Sequence, residues 1–447
     1  MIFNYYIIFI YDFNISLFKI KVLLKMRIIH ISDTHLGKRP KRTRTSIINQ
    51  EIKPIEDDFY NSWKRFIEEI INLDKDEKPD IIIHSGDFFD TPSGTDPSPP
   101  PEFARKVAAE AFKKLHENNI PIVIIDGNHG RYMQYRISPI TEYTILFDNV
   151  YLFTYFDIRD SIRNQQPLFK DFPTLNLRIH AHPSLESNDL PQLLLKYEDW
   201  VYIQNNNINP SMVNVFLAHG MIENHTLNSN FLTGDYDYIG LGDNHKMQQI
   251  NDNTWYAGST ELWSFNEETY QKGYLIIDID DSSYKSKIKV NQKLLPQQRK
   301  IVSDHVEIYP DDNNSKIIDR IKKVFEKNGL NTPYNYQTAA RVKITILGNR
   351  SYGSFYNIHE ISSYLNKITL NSNDYNIVEF ILETPKYYDE TVIKQIRQDE
   401  TFIEYLIEDP EKEFKKYITS TRKEDLKKNN LDSNMLAKLF FESLKNQ

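Results

Sequence analysis

The sequence predicts an α/β fold, and two observations predict it. Apolar, β-branched runs of strand length recur along the chain, and amphipathic helical stripes lie between them. A third observation points to function: five of these runs break off into Asp, Asn or His, often beside Gly. Continuous apolar runs suit strands buried on both faces. Ligands of open α/β sheets bind beyond the carboxyl ends of such strands.

In chain order, the first run is "RIIHISDTH", ending in Asp33 and His35. The helix "DDFYNSWKRFIEEIINL" follows, with Phe59, Trp63, Phe66, Ile67 and Ile70 on one stripe. "DIIIHSGDFFD" ends in Asp87 and Asp90. The Pro/Ser-rich loop "TPSGTDPSPPP" leads into a second helix, "PEFARKVAAEAFKKLHEN". "IPIVIIDGNHG" ends in Asn128 and His129, "VNVFLAHG" in His219, and "YIGLGDNHK" in Asp243 and His245. "TWYAGSTELWSFNEETYQKGYLIIDID" reads as strand, loop, strand, and a boundary falls near "KLLPQQRK". A small α+β unit is expected next, over 296–386. In it Val342, Ile344 and Ile346 share one strand face and Val378, Phe380 and Leu382 another, with the helical pattern "SFYNIHEISSYLNKI" between. From residue 387 to 447 the chain reads as charged helix. Ser433 caps a final stripe of Met435, Leu436, Leu439, Phe440 and Leu444. No internal repeat is visible.

The length of 447 residues calls for two or three domains. With 62 acidic against 54 basic residues, the formal charge is −8, so any nucleic-acid surface must be local. The absence of cysteine excludes disulfides, thiolate nucleophiles and Cys-ligated zinc, and fits a cytoplasmic protein. Residues 1–25 are apolar and aromatic, but Asp12, Asn14 and Lys19 interrupt them before the roughly 18–20 residues of a membrane span. They also lack the features of a signal peptide. Met26 reads as the natural start and residues 1–25 as an upstream extension, with a membrane-surface anchor as the alternative.

Carboxylates and carbonyl oxygens suit hard divalent ions, and imidazole suits Mn, Fe and Zn. Asp33, His35, Asp87, Asn128, His219, Asp243 and His245 give seven candidate ligands. That is too many for one tetrahedral site and fits two metals sharing a bridging carboxylate. Such pairs, ~3.5–4 Å apart, stabilise attacking and leaving oxygens in phosphoryl transfer. Any one strand-end Asp or His alone would read as a turn or cap. Five together do not.

The order D-x-H, G-D-x-x-D, G-N-H, H-G and G-x-x-H resembles the calcineurin-like metallophosphoesterase superfamily. "DTHLG" and "WYAGSTELWSFNEETYQKGY" are similar to the nuclease subunit of the double-strand-break repair complex, the SbcD-like partner of an SMC-like ATPase. The resemblance covers residues 26–280 well. It implies a sandwich of two β-sheets flanked by helices over 26–295, a DNA-capping domain over 296–386 and an ATPase-binding helical segment over 387–447. It implies two divalent metals, with Mn(II) expected. Asp33, His35 and His245 would hold one, and Asn128, His219 and Asp243 the other, with Asp87 between them. His129 would be catalytic and not a ligand. Exo- and endonuclease action on duplex ends and single strands, and a homodimer, are implied as well.

Two departures stand out. The family's third motif continues with an acidic residue that would orient His129, and here it is Gly130. The last motif carries Asp243 where a histidine is usual, which makes the site more anionic and favours hard ions such as Mn. A damaged second site is the competing reading. "KRPKRTRT" places Lys38, Arg39, Lys41, Arg42 and Arg44 beside the first motif, as a solvated loop or a phosphate-contacting patch. Asp90 reads as a histidine-tuning or helix-capping residue. His84, His180, His182 and His225 match no motif position. Two other functions compete with the nuclease: a phosphoesterase for small or nucleotide substrates, and a weakened DNA-end-binding scaffold.

Overall fold

The computed structural model describes residues 25–39, 54–90, 99–129, 137–185, 190–222, 227–280, 287–296, 299–349, 356–383 and 386–388. The expectations for the N-terminal extension before residue 25, and for the C-terminal stripe at 433–444, lie outside them.

The first sheet holds β1 (Lys25–Ile31), β2 (Ile81–His84), β3 (Ile122–Ile125), β4 (Val150–Phe153), β11 (Gly273–Asp280) and β12 (Lys287–Leu294). Its order is β12-β11-β1-β2-β3-β4. The last four run parallel, while β11 lies antiparallel to β1. The second sheet holds β5 (Phe169–Phe172), β6 (Leu177–His182), β7 (Val213–His219), β8 (Tyr238–Gly242), β9 (Gln248–Asn251) and β10 (Thr254–Tyr256), ordered β5-β6-β7-β8-β10-β9.

Residues alternate across these strands, so each sheet has two apolar faces to cover. Ile28, Ile81, Ile83, Val123 and Ile277 of the first sheet pack on Ile179, Val215, Leu217 and Tyr238 of the second. Ile29, Ile31, Ile82 and Ile124 face outward. There α1 (Pro54–Ile71) and α2 (Glu102–Glu117) cover them, through Trp63, Phe66, Ile70, Phe112 and Leu115. Beyond the second sheet, α4 (Tyr155–Asn164) and α5 (Leu190–Asn205) place Ile158, Ile162 and Trp200 against Phe216 and Ile239. The short α3 (Thr141–Leu146) leads into β4. The result is two β-sheets face to face between helical layers, as the sequence resemblance implies.

The described residues fall into two compact units, one within 1–304, 322–344 and 362–382, the other within 305–321, 345–361 and 383–447. The metal-site motifs all lie in the first. Elements after residue 300 are β13 (Ile301–Glu307), α6 (Asn314–Lys327), β14 (Ala340–Asn349), α7 (Ile358–Leu370), β15 (Ile377–Leu382) and β16 (Lys386–Tyr388). Val342, Ile344 and Ile346 on β14 are all buried, as are Val378, Phe380 and Leu382 on β15.

Candidate metal centre

The site begins where strands stop. Beyond β1 the backbone goes on pairing with the segment after β2. Asp33 N donates to Gly86 O, His35 N to Asp87 O, Leu36 N to Phe88 O and Asp90 N to Leu36 O, each at 3.0 Å. This zipper sets Asp33 and His35 beside Asp87 and Asp90. The second sheet closes the site. Gly220 N donates to Gly242 O at 3.2 Å, and Asp243 N donates to both Asp33 oxygens, at 3.3 and 3.2 Å. Gly127 lets the β3 loop come close, because a Cβ there would collide with the Asp87 carboxylate and backbone nitrogen. His129 N then donates to Asp87 Oδ1 at 2.9 Å.

The expected ligands converge. His35 Nε2 lies 3.0 Å from His245 Nε2, 4.0 Å from Asp33 Oδ1 and 3.8 Å from Asp87 Oδ2. His245 Nε2 lies 3.9 Å from Asp33 Oδ1. His219 Nε2 lies 3.1 Å from Asn128 Oδ1, 3.6 Å from Asp87 Oδ2 and 3.8 Å from Asp243 Oδ1. Asp33–His35–His245 and Asp33–Asp87–His219 are each compact enough to share an ion, with ligand atoms within 4.8 Å. His35–Asp87–His129 meets the same distance. Asp243 joins none of these groups and reaches the centre through His219. Asp33, His35, Asp87 and His219 are buried, Asp243 and His245 half-buried and Asn128 exposed, so the site opens on the Asn128 side.

The donors fit divalent ions. His219 Nδ1 donates to Ser85 O at 2.7 Å, and His245 Nδ1 to Glu267 Oε1 at 2.9 Å. In the neutral ring each bond fixes the tautomer that turns an Nε2 lone pair into the site. Asp33, Asp87 and Asp243 have only histidines as ion-pair partners among the described residues. Clustered carboxylates at this depth need a cation. Burial works to raise Asp87, but His219, His35 and His129 outweigh it and hold its carboxyl low. Burial works to lower His219, and Asp87, Asp243 and Asp33 raise it instead. Burial raises Asp243 against the pull of His219, with Asp33 and Asp87 adding to the rise.

His129 stands at the rim. Its Nδ1 bonds Asp90 Oδ1 at 2.8 Å. Burial would lower its pKa, but that bond and the nearby Asp87 charge raise it overall. Of the two expectations for Asp90, the contact is that of a histidine-tuning residue; Gly130 lies outside the described residues. Lys38 Nζ sits 3.5 Å from Asp90 Oδ2 and 3.3 Å from the centre of the Trp263 ring, which lines the site beside His35, His129 and His245. Arg39 bonds Glu56 at 3.1 Å. Lys41, Arg42 and Arg44 lie outside the described residues. The histidines off the motifs are structural: His84 meets Thr34, His180 meets Gln204, and His182 meets Tyr197. His225 lies outside the described residues. Sequence reasoning missed Glu267, although "SFNEE" falls within a family-like segment. Nothing local in that segment shows that it turns back onto His245.

The calcineurin-like phosphoesterase family matches residues 26–269. The DNA double-strand break repair protein Mre11 of Methanocaldococcus jannaschii is 30% identical over 263 residues, which cover 57% of this chain and 62% of that protein. Its namesake in Methanococcus maripaludis is 27% identical over 291 residues, covering 62% of this chain and 69% of that protein. The SbcD component of the nuclease SbcCD of Staphylococcus epidermidis is 26% identical over 308 residues, covering 63% of this chain and 74% of that protein. The match thus spans under two thirds of the M. jannaschii relative's length. The family's match covers more than half of the 447 residues and contains every candidate ligand, so the chain belongs to the calcineurin-like phosphoesterases.

Proposed function

We propose that this chain is a metal-dependent DNA nuclease that hydrolyses phosphodiesters in double-strand-break repair. The observation that carries the reading is the buried set of Asp33, Asp87 and His219 joined to His35 and His245, with His129 held at its rim by Asp90. Asp33, His35 and His245 would hold one divalent ion, Asn128, His219 and Asp243 a second, with Asp87 shared. When bound, such ions supply Lewis acidity and neutralise charge on the phosphoryl oxygens. The three carboxylates favour hard ions, with Mn(II) the expected metal. His129 keeps Nδ1 on Asp90, which aims the opposite ring edge at substrate. As water attacks phosphorus and gives up a proton to solvent, the bond from phosphorus to the leaving oxygen breaks. His129 Nε2 delivers a proton to that oxygen and is re-protonated from solvent. Lys38, held over Trp263, offers a charge to the neighbouring phosphate.

DNA as substrate is supported by the names of the relatives. The SMC-like ATPase partner, expected at residues 387–447, belongs to the same reading through the motif resemblance. Exo- and endonuclease cleavage, a homodimer and a cytoplasmic location belong to the same reading. No described helix is long and apolar enough to cross a membrane.

The deciding experiment is reconstitution with Mn(II), elemental analysis, and an assay on linear duplex. Two equivalents and Mn-dependent cleavage are expected, with about one equivalent in Asp243→Ala. One equivalent in both proteins would favour the weakened scaffold. Hydrolysis of nucleotide esters without DNA cleavage would favour the small-substrate phosphoesterase.

A further inference from the structure

Behind His245 lies a charged pair that the chemistry above leaves unused. Glu267 is 5% exposed and Lys272 2%. Glu267 Oε1 accepts from His245 Nδ1 at 2.9 Å and from Ser264 Oγ at 3.3 Å. Its Oε2 accepts from Lys272 Nζ at 2.7 Å and from Trp263 N at 3.0 Å. Lys272 Nζ also donates to Ser259 Oγ at 2.7 Å and to the backbone oxygen of His245 at 2.9 Å. Three ammonium protons meet three acceptors, and His245 is gripped at both ring and backbone.

Stability alone does not account for this pair. Buried ion pairs can often be replaced by apolar residues without loss. The pair also breaks a symmetry of the site. The tautomer of His219 is set by a backbone carbonyl, which no side-chain change removes. That of His245 depends on side chains alone.

We propose that Glu267 and Lys272 are a positioning pair that fixes the ring orientation and tautomer of His245, and so sets metal affinity at the Asp33–His35–His245 set independently of the second set. The inference rests on the two-metal reading. An outer partner of a ligating histidine typically changes metal affinity about 10–100-fold.

The test is Mn(II) titration of the metal-free full chain, followed by electron paramagnetic resonance of the free ion. The variants are Glu267→Gln and the double variant Glu267→Gln/Lys272→Met, which leaves no buried charge unpaired and carries the test if the single variant does not fold. Each variant should lose about 10–100-fold at one of two sites and keep the other within about twofold. Imidazole nitrogen-15 shifts of the metal-free chain should place the His245 proton on Nδ1 in the wild type and lose that preference in the variants. Unchanged affinity at both sites in a folded variant would overturn the proposal. Equal loss at both sites, or an unchanged His245 tautomer, would do the same. A wild type that binds no Mn(II) would instead overturn the two-metal reading beneath it.

Discussion

Asp33, His35, Asp87 and Asp243 all hold positive φ, at 50°, 43°, 53° and 87°. Side chains with a Cβ adopt this region at a cost of about 1–3 kcal/mol each, and the surrounding structure must impose it. The loop zipper and the bond from Asp243 N to Asp33 do so here. The backbone of these candidate ligands is therefore fixed by the protein's own hydrogen bonds. Gly127→Ala should remove most Mn(II) binding, since the added methyl collides with the Asp87 carboxylate, and elemental analysis of the purified variant reads this directly. His129→Ala should cut cleavage by about 10²–10⁴-fold, the usual share of a proton-transferring group, with both metal equivalents kept. Loss of metal in that variant would show that His129 is a ligand. Asp90→Asn should retain metal and lose less activity. At this scale the sequence was legible wherever the chemistry follows a strand directly, as at Asp33, Asp87 and His219. It was not legible for Glu267, Lys272 or the seat of Lys38 on Trp263, which depend on loops meeting in space.

Among the elements, β1, β2, β3, β7 and β8 were legible because burial on both faces leaves mostly apolar residues. β6, broken by Arg178, His180 and His182, was not, and its histidines carry a consequence of their own. On β6, burial pushes His180 down to about 4 and His182 to about 3, so both are neutral when folded. Unfolded, each takes up a proton below about pH 6.5. Their contribution to stability is therefore complete above that pH and is lost as pH falls toward 4. The loss reaches about 2 kcal/mol for each by pH 5. Urea unfolding of the metal-free chain at pH 7 and pH 5 should show it, and His182→Gln should remove about half of the β6 share. An identical pH slope in that variant would refute the assignment. Edge strands such as β5 and β9 carry no such apolar run and were invisible in the sequence. They are defined by the neighbour they pair with, not by their own pattern.

For the whole molecule, the matched family segment ends at residue 269, yet the first sheet needs β11 and β12. Tyr274, Leu275 and Ile277 are buried on β11, and Arg299 bonds the buried Asp58 of α1 at 2.5 Å. A chain cut after residue 269 should lose its near-ultraviolet circular dichroism and its metal together, and expose β1 as an edge prone to association. A soluble, metal-binding fragment would show that the sheet tolerates the loss. The two compact units interleave in sequence between residues 305 and 382, which no shift of composition announces. The pairing of β1 with β11 also sets an order of events during synthesis. Ile31 closes β1 and Asp280 closes β11, so 280 − 31, or 249, residues are added after Ile31 before β11 is complete. At the usual pace of roughly 5–20 residues per second, a ribosome needs roughly 12–50 seconds to cross that gap. For the later part of that time β1 stands as the open edge of its sheet, with β2, β3 and β4 already made on one side and β11 still missing on the other.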